Sequence, residues 1–261
     1  MQLHYKSYGS GQPLIILHGL LGSLDNWRTV SLDLAHDFRI LTPDLRNHGH
    51  SPQSEEMNYS VMAQDVSELM NHENLKQAYV LGHSMGGKTA MELALRQPER
   101  VSKLTIVDMA PRPYAPRHAK ILSAMLTLDL STFQTRRQLQ EALAPAIPDL
   151  AVRQFLLKNL ESDSAGTLRW RIGLRQIFQN YDSLRQPIES QIPFNCPTLF
   201  IRGEHSDYLT ESDIPSIQKL FPLARLETVP QAGHWVHADN PAVFVQKVRE
   251  FLARDNFPLP A

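Results

Sequence analysis

Residues Gly82-His83-Ser84-Met85-Gly86 form a G-x-S-x-G pattern, entered from the apolar run Ala78-Tyr79-Val80-Leu81 and left into a helix-compatible segment at 88–97. A serine on so sharp a strand-to-helix turn is held out as a nucleophile, and glycines two residues before and after it remove the Cβ atoms that would collide there. The N–H of Met85 then points where an attacked carbonyl oxygen would gather charge. A serine nucleophile needs a base, and the base needs an acid to fix its tautomer. His234 in Gly233-His234-Trp235, just after the last apolar strand run, is the candidate base. Two residues compete for the acid. Asp108 ends the run Lys103-Leu104-Thr105-Ile106-Val107, whereas Asp207 sits in the polar stretch Gly203-Glu204-His205-Ser206-Asp207. A carboxylate at the end of a buried strand requires a specific partner, while one in a polar loop is satisfied by water, so Asp108 is preferred.

These groups can meet only if several chain segments converge. Pro13-Leu14-Ile15-Ile16-Leu17 is a continuous apolar run of the kind buried on both faces of a parallel sheet. It runs into His18-Gly19-Leu20-Leu21-Gly22, where the N–H of Leu20 is placed as a second oxyanion donor. Residues 3–8 alternate as an edge strand, 25–35 read as an amphipathic helix carrying Trp27, and 38–42 read as a further strand. Residues 59–70 carry Met62, Val66, Leu69 and Met70 on one helical face. Strand runs return at 197–201 and 225–229, with a short helix at 214–220 between them, and Pro241 opens a final helix through about residue 253. The tail Phe257-Pro258-Leu259-Pro260-Ala261 reads as frayed. Strands alternating with helices call for a doubly wound, mainly parallel sheet. Between 112 and 190 strand runs vanish and helical patterns appear at 119–128, 132–143 and 152–160, separated by Pro145, Pro148 and Asp163-Ser164. Residues 168–181 read equally well as strand or helix. This segment is expected to be an insertion over the sheet, leaving 1–111 and 191–261 as the core. It holds eleven Arg and Lys against seven Asp and Glu, with Arg112, Arg117, His118 and Lys120 close after Asp108. Those charges are either solvated helix faces or an anion-tolerant rim.

A chain of 261 residues, 42% hydrophobic and 20% charged, suits one α/β domain with a large core. A formal net charge of −1 provides no global field for nucleic acid or an anionic membrane. The single cysteine, Cys196, excludes an internal disulfide and fits a reducing compartment. Residues 2–6 have no signal-peptide character and no apolar run is long enough to span a bilayer, so a cytoplasmic location is expected. His48 and His50 could suggest a metal, but their loop is rich in glycine and no matching ligand pair follows. A turn braced by Asp44 and Arg46 accounts for it better. His83, Trp170 and Trp235 are candidate pocket residues, and His237 reads as structural or pocket-lining.

Ser, Asp and His in that chain order, with the His18-Gly19 loop ahead of them, resemble the α/β-hydrolase arrangement over the whole chain. More narrowly, Asp44-x-Arg46-Asn47-His48-Gly49, Asp108-Met109-Ala110-Pro111 and Gly233-His234-Trp235-Val236-His237 are similar to YbfF-type esterases. The resemblance implies an eight-stranded sheet with a helical cap inserted after its sixth strand. It also implies an acid at the earlier strand end, Asp108. The commoner hydrolase pattern puts the acid after the post-cap strand, three residues past the glycine, where Asp207 lies four past Gly203. The implied activity is hydrolysis of carboxylic esters of short to medium acyl chains, with acyl-CoA thioesters a further class, through an acyl-enzyme on Ser84 and with no cofactor or metal. The expected partner is a small-molecule substrate, with no nucleic acid or membrane, and the oligomeric state is left open. Dehalogenation would need an aspartate in place of Ser84. A C–C bond hydrolase would use the same triad, and a non-catalytic binding module would have no use for it.

Overall fold

The computed structural model describes residues 1–162 and 167–253. The tail at 257–261 and the Asp163-Ser164 break lie outside the described residues. The chain opens with β1 (Tyr5–Tyr8) and β2 (Pro13–Leu17), then α1 (Arg28–Leu34), β3 (Arg39–Pro43), α2 (Tyr59–His72), β4 (Ala78–His83), α3 (Met85–Arg96) and β5 (Val101–Val107). Next come α4 (Ala119–Leu126), α5 (Arg136–Leu143), α6 (Leu150–Leu157), the strands β6 (Leu160–Ser162) and β7 (Leu168–Trp170), and α7 (Leu174–Gln179). The chain closes with β8 (Thr198–Gly203), α8 (Ile214–Leu220), β9 (Ala224–Val229), α9 (Val236–Asp239) and α10 (Pro241–Ala253).

Seven strands form the main sheet in the order β1-β3-β2-β4-β5-β8-β9, all parallel except β1, which runs antiparallel to β3. The expected eight strands are thus seven among the described residues, and the helical insertion follows the fifth strand rather than the sixth. A single strand, β1, precedes the turn at Gly9–Gly11 and pairs directly with β3.

Apolar side chains leave the two faces of the sheet alternately, as the period of a strand requires. Ile15, Leu17, Val80, Leu104 and Ile106 pack with Met62 and Val66 of α2 and Met91 and Leu93 of α3. Leu14, Ile16, Leu81 and Val107 pack on the other side with Trp27, Val30 and Leu34 around α1 and with Phe244 and Val248 of α10. β4 lies near the centre, between β2 and β5, and the sheet's order reverses beside it. The crevice outside the carboxyl ends of such strands is where ligands bind in open α/β sheets.

The stretch that read as strand or helix at 168–181 is both, strand β7 followed by α7. Among the described residues β6 and β7 pair only with each other, over three residues each, so no apolar run marks them in the sequence. The chain segments entering and leaving the insertion are tied side by side: Tyr114 N–H donates to the Arg185 carbonyl (3.0 Å) and Ile188 N–H to the Pro111 carbonyl (2.8 Å). Lys88 of α3 reinforces this join. Its ammonium is fully buried and donates to the carbonyls of Arg112 (2.8 Å) and Gln186 (2.6 Å), one on each segment. Burial, helped by the nearby Arg112 charge, pushes its pKa down to about 7. Either protonation state keeps at least two N–H donors, enough for the two carbonyls.

Lys88→Ala would strand both carbonyls in the interior. Urea unfolding should show a loss of about 3–5 kcal/mol, and a loss below about 1 kcal/mol would contradict this role.

Candidate active site

Ser84 sits between β4 and α3 with φ 53° and ψ −118°, a backbone conformation that serine adopts only when its surroundings impose it. The surroundings are a near collision. A Cβ on Gly82 would lie 2.1 Å from the Gly86 carbonyl oxygen, and one on Gly86 would lie 2.5 Å from the carbonyl oxygens of Leu17 and His18. The turn therefore packs against the end of β2, bringing the His18-Gly19-Leu20 loop alongside Ser84. Met85 is the first residue of α3, so its N–H has no acceptor within the helix. Leu20, Ser84 and Met85 all line one cavity.

Three strand ends supply the remaining groups. Asp108 follows β5 with φ 49° and is fully buried, its N–H donating to the Ile201 carbonyl (2.7 Å). Its carboxylate accepts the Gly203 N–H (3.2 Å), the Ser206 hydroxyl and His234 Nδ1–H (2.7 Å). His234 Nε2 faces Ser84 Oγ at 3.1 Å. Gly203 makes this convergence possible, since a Cβ there would fall 2.2 Å from the Gly233 carbonyl oxygen on the loop that carries His234. The structure thus brings Ser84, His234 and Asp108 into one hydrogen-bonded chain. It leaves Asp207 out, its side chain 72% exposed and paired bidentately with Arg117 at 2.5 and 2.8 Å.

Burial works against charge on both members of the Asp108–His234 pair. It raises Asp108 to about 7 and lowers His234. Three converging donors keep the added proton off the carboxylate, so His234 Nε2 is where the pair takes up a proton. His234 is further shielded by Tyr208, whose ring stacks on the imidazole at 3.7 Å and 17°. The Arg117 guanidinium also lies over Tyr208, 4.7 Å from the ring centre.

The other sequence candidates fall elsewhere. His83 is buried beneath the site, its Nε2–H donating to the His234 carbonyl (2.9 Å), so it braces that loop and does not line the cavity. Trp170 lines a separate groove with Met125, Leu128 and Ile172, because β7 carries it away from Ser84. Trp235 packs against Phe155 at 5.4 Å, outside the cavity lining. His237 stacks on Trp27 at 4.1 Å. The wall of the cavity is instead made by Met109, beside Asp108, with Tyr59, Tyr114, Tyr181, Tyr208 and Leu184, the last five with no motif to mark them. Ser206 was likewise hidden, in a loop whose polarity read as hydration. Of the basic residues after Asp108, Arg112 pairs with Asp213 (2.8 Å) and Arg117 with Asp207, while Lys120 is exposed. His48 spends both ring nitrogens on backbone groups, the Leu21 N–H and the Arg46 carbonyl. Asp44 accepts the N–H groups of Leu24 and His50, and Arg46 forms a buried bidentate pair with Asp65. Among the described residues no group of three His, Cys, Asp or Glu is placed to hold a metal ion, and no helix is long and apolar enough to cross a membrane.

Residues 12–241 match the alpha/beta hydrolase fold family. The chain belongs to that family. It is 35% identical to Esterase YbfF of Escherichia coli, covering 93% of this chain and 94% of that one. It is 37% identical to the sn-1-specific diacylglycerol lipase ABHD11 of Xenopus laevis, covering 97% and 84%. Among solved structures it superimposes on a marine microorganism esterase with a TM-score of 0.94 at 42% identity, covering 96% and 99% of the two chains.

The neutral imidazole is the form that can take a proton from Ser84. Because burial lowers the His234 pKa, that form should persist below the usual 6.5. An NMR titration should place the His234 midpoint under 6.5, and a midpoint above it would contradict the burial argument.

Proposed function

We propose that the protein is a serine esterase that hydrolyses carboxylic esters through an acyl-enzyme on Ser84. The observation that carries this reading is the unbroken chain from the Asp108 carboxylate through His234 to Ser84 Oγ, at 2.7 and 3.1 Å. Ser84 attacks the acyl carbon as its proton passes to His234 Nε2. Asp108 holds the Nδ1–H tautomer and stabilises the imidazolium. The N–H groups of Leu20 and Met85 receive the oxyanion, an effect worth on the order of 3–4 kcal/mol per donor. His234 returns the proton to the departing alkoxide, and water repeats the cycle to release the acid.

Residues 112–190 act in this reading as a cap over a core of 1–111 and 191–261, since Tyr114, Arg117, Tyr181 and Leu184 supply much of the cavity wall. The tyrosine hydroxyls of 59 and 114 are spent on the Leu184 and Tyr208 carbonyls, both at 2.6 Å. Their rings therefore offer apolar faces suited to an acyl chain. The esterase and lipase names of the relatives agree with this chemistry. The ion pairs at Arg112 and Arg117 favour neutral esters over anionic thioesters, because a phosphate would have to displace Asp213 or Asp207.

Steady-state hydrolysis of p-nitrophenyl esters tests the assignments. Ser84→Ala should remove nearly all activity and leave folding intact. Asp108→Asn should lower kcat by up to about 10⁴, the scale seen when the histidine tautomer is wrong. Asp207→Asn should cost less than about tenfold, since its partner Arg117 lies at the surface. Full turnover in Ser84→Ala would end the mechanism, and the reverse order of the two aspartate variants would show the acid to be misassigned.

A further inference from the structure

The hydrogen bonds of the triad hold the His234 imidazole only by its edge. Nδ1 is tied to Asp108 at 2.7 Å and Nε2 faces Ser84 Oγ at 3.1 Å. These contacts set the line between the two nitrogens and leave the ring free to roll about it. Hydrogen bonds resist such a roll poorly, because they weaken steeply only after the angle has changed by tens of degrees. The His83 bond to the His234 carbonyl fixes the main chain and not the ring. The His234 side chain is also 21% exposed, so a continuous wall of packed atoms does not hold it. Something must fix its tilt if Nε2 is to stay on line with the oxygens it serves.

The ring of Tyr208 lies against one face of that imidazole, its centre 3.7 Å away and its plane within 17° of parallel. At that separation the two rings are already in van der Waals contact, so a roll in place would drive their atoms into overlap. A plate of this kind works only if it is rigid, and Tyr208 is pinned at both backbone polar groups. Its N–H donates at 3.2 Å to Ser206 Oγ, the same oxygen whose proton goes to Asp108. Its carbonyl accepts the Tyr114 hydroxyl at 2.6 Å. The Tyr208 ring also packs near parallel to that of Tyr114, at 5.6 Å and 26°, and carries the Arg117 guanidinium over it. One loop after β8 thus supplies a donor to the acid and a plate to the base. Tyr114 and Arg117, which hold the plate, belong to the segment proposed as the cap. The negative face of a phenol ring further suits the imidazolium formed when Ser84 gives up its proton.

We propose that Tyr208 is a positioning residue for the general base: its ring holds the His234 imidazole at the tilt that keeps Nε2 aimed first at Ser84 Oγ and then at the departing alkoxide oxygen. Tyr208 exchanges no proton in either step. It acts through the face of His234, where Asp108 acts through Nδ1. The inference rests on the serine-esterase reading and adds to it a fourth side chain on which the geometry of proton transfer depends. Tyr208 also lines the cavity, so the test has to separate its hold on His234 from contact with substrate.

The test compares wild type with Tyr208→Phe, which keeps the ring, and Tyr208→Leu, which keeps an apolar side chain without the plane. kcat and KM are measured well below each protein's unfolding temperature on a simple alkyl ester, whose alkoxide must be protonated to leave. The low-field NMR resonance of His234 Nδ1–H, which reports the bond to Asp108, is recorded without substrate. Tyr208→Leu should lose about 10- to 100-fold in kcat, the scale of a misplacement of about 1 Å. Its Nδ1–H resonance should broaden or vanish as the ring rolls and the proton exchanges with water. Tyr208→Phe should keep kcat within about threefold of wild type, since a hydroxyl is not what orients the imidazole, and its resonance should stay sharp. Wild-type kcat in folded Tyr208→Leu would overturn the proposal, as would a fall in kcat beside an unchanged resonance. A loss confined to KM would mark a substrate contact alone, and a loss in Tyr208→Phe as large as in Tyr208→Leu would mark the hydroxyl; either overturns it. Where Tyr208→Leu does not fold, Tyr208→Met gives the same comparison. Labelling of wild type by a fluorophosphonate separates the two levels. An unlabelled, inactive wild type removes the esterase reading and this inference with it, whereas a labelled wild type beside a fully active Tyr208→Leu removes only the inference.

Discussion

Between the end of β4 and the first turn of α3 the chain passes so close to itself that only glycine fits at 82 and 86, and Ser84 is forced to φ 53°. That crossing holds the hydroxyl above the sheet. It places the first free N–H of α3 beside it and presses the turn against the end of β2, which brings the Leu20 loop into reach. The remaining site groups are arranged around this fixed point. β5 and β8 flank one another so that Asp108 is sealed between strand ends, and the loop after β9 drops His234 into the gap between carboxylate and hydroxyl.

The carboxylate at the centre of the site is sealed from solvent. Asp108 has no exposed surface and relies on three donors, one from the Gly203 backbone, one from Ser206 and one from His234 itself. A buried carboxylate with fewer donors would be costly, so the loop after β8 stabilises Asp108 even though its own Asp207 faces outward. Asp207 neutralises Arg117, and Arg117 covers the Tyr208 ring that stacks on His234. The insertion in turn depends on the core for its anchorage, through Lys88, and contributes to the core through Asn159, which donates to the Leu21 carbonyl. Polar contacts across this boundary run in both directions.

The elements of the sheet were legible because parallel strands buried on both faces appear as unbroken apolar runs, and the elbow because its glycines have a steric cause that no other residue meets. The seventh-versus-eighth strand difference arose where resemblance, not residues, supplied the count; the apolar and alternating runs themselves number seven. The pairing of β6 with β7 was invisible, since three-residue strands show no periodicity. Trp170, Trp235 and His83 were candidates for the cavity on residue type alone, and type does not say which way a strand or loop carries a ring. The tyrosines that do form the wall come from segments far apart in the chain and carry no local signature. Proximity through tertiary packing left no trace at those positions that composition or spacing could reveal.

In the proposed reaction Ser84 is acylated and then deacylated, so trapping the acyl-enzyme is the decisive experiment. The protein is mixed with a p-nitrophenyl ester, quenched in acid within the burst phase, and analysed by intact mass and peptide mapping. The expected result is a mass increase of one acyl group, located on Ser84 and absent from Ser84→Ala. A burst-free turnover with no adduct, or an acyl group on any other residue, would contradict it.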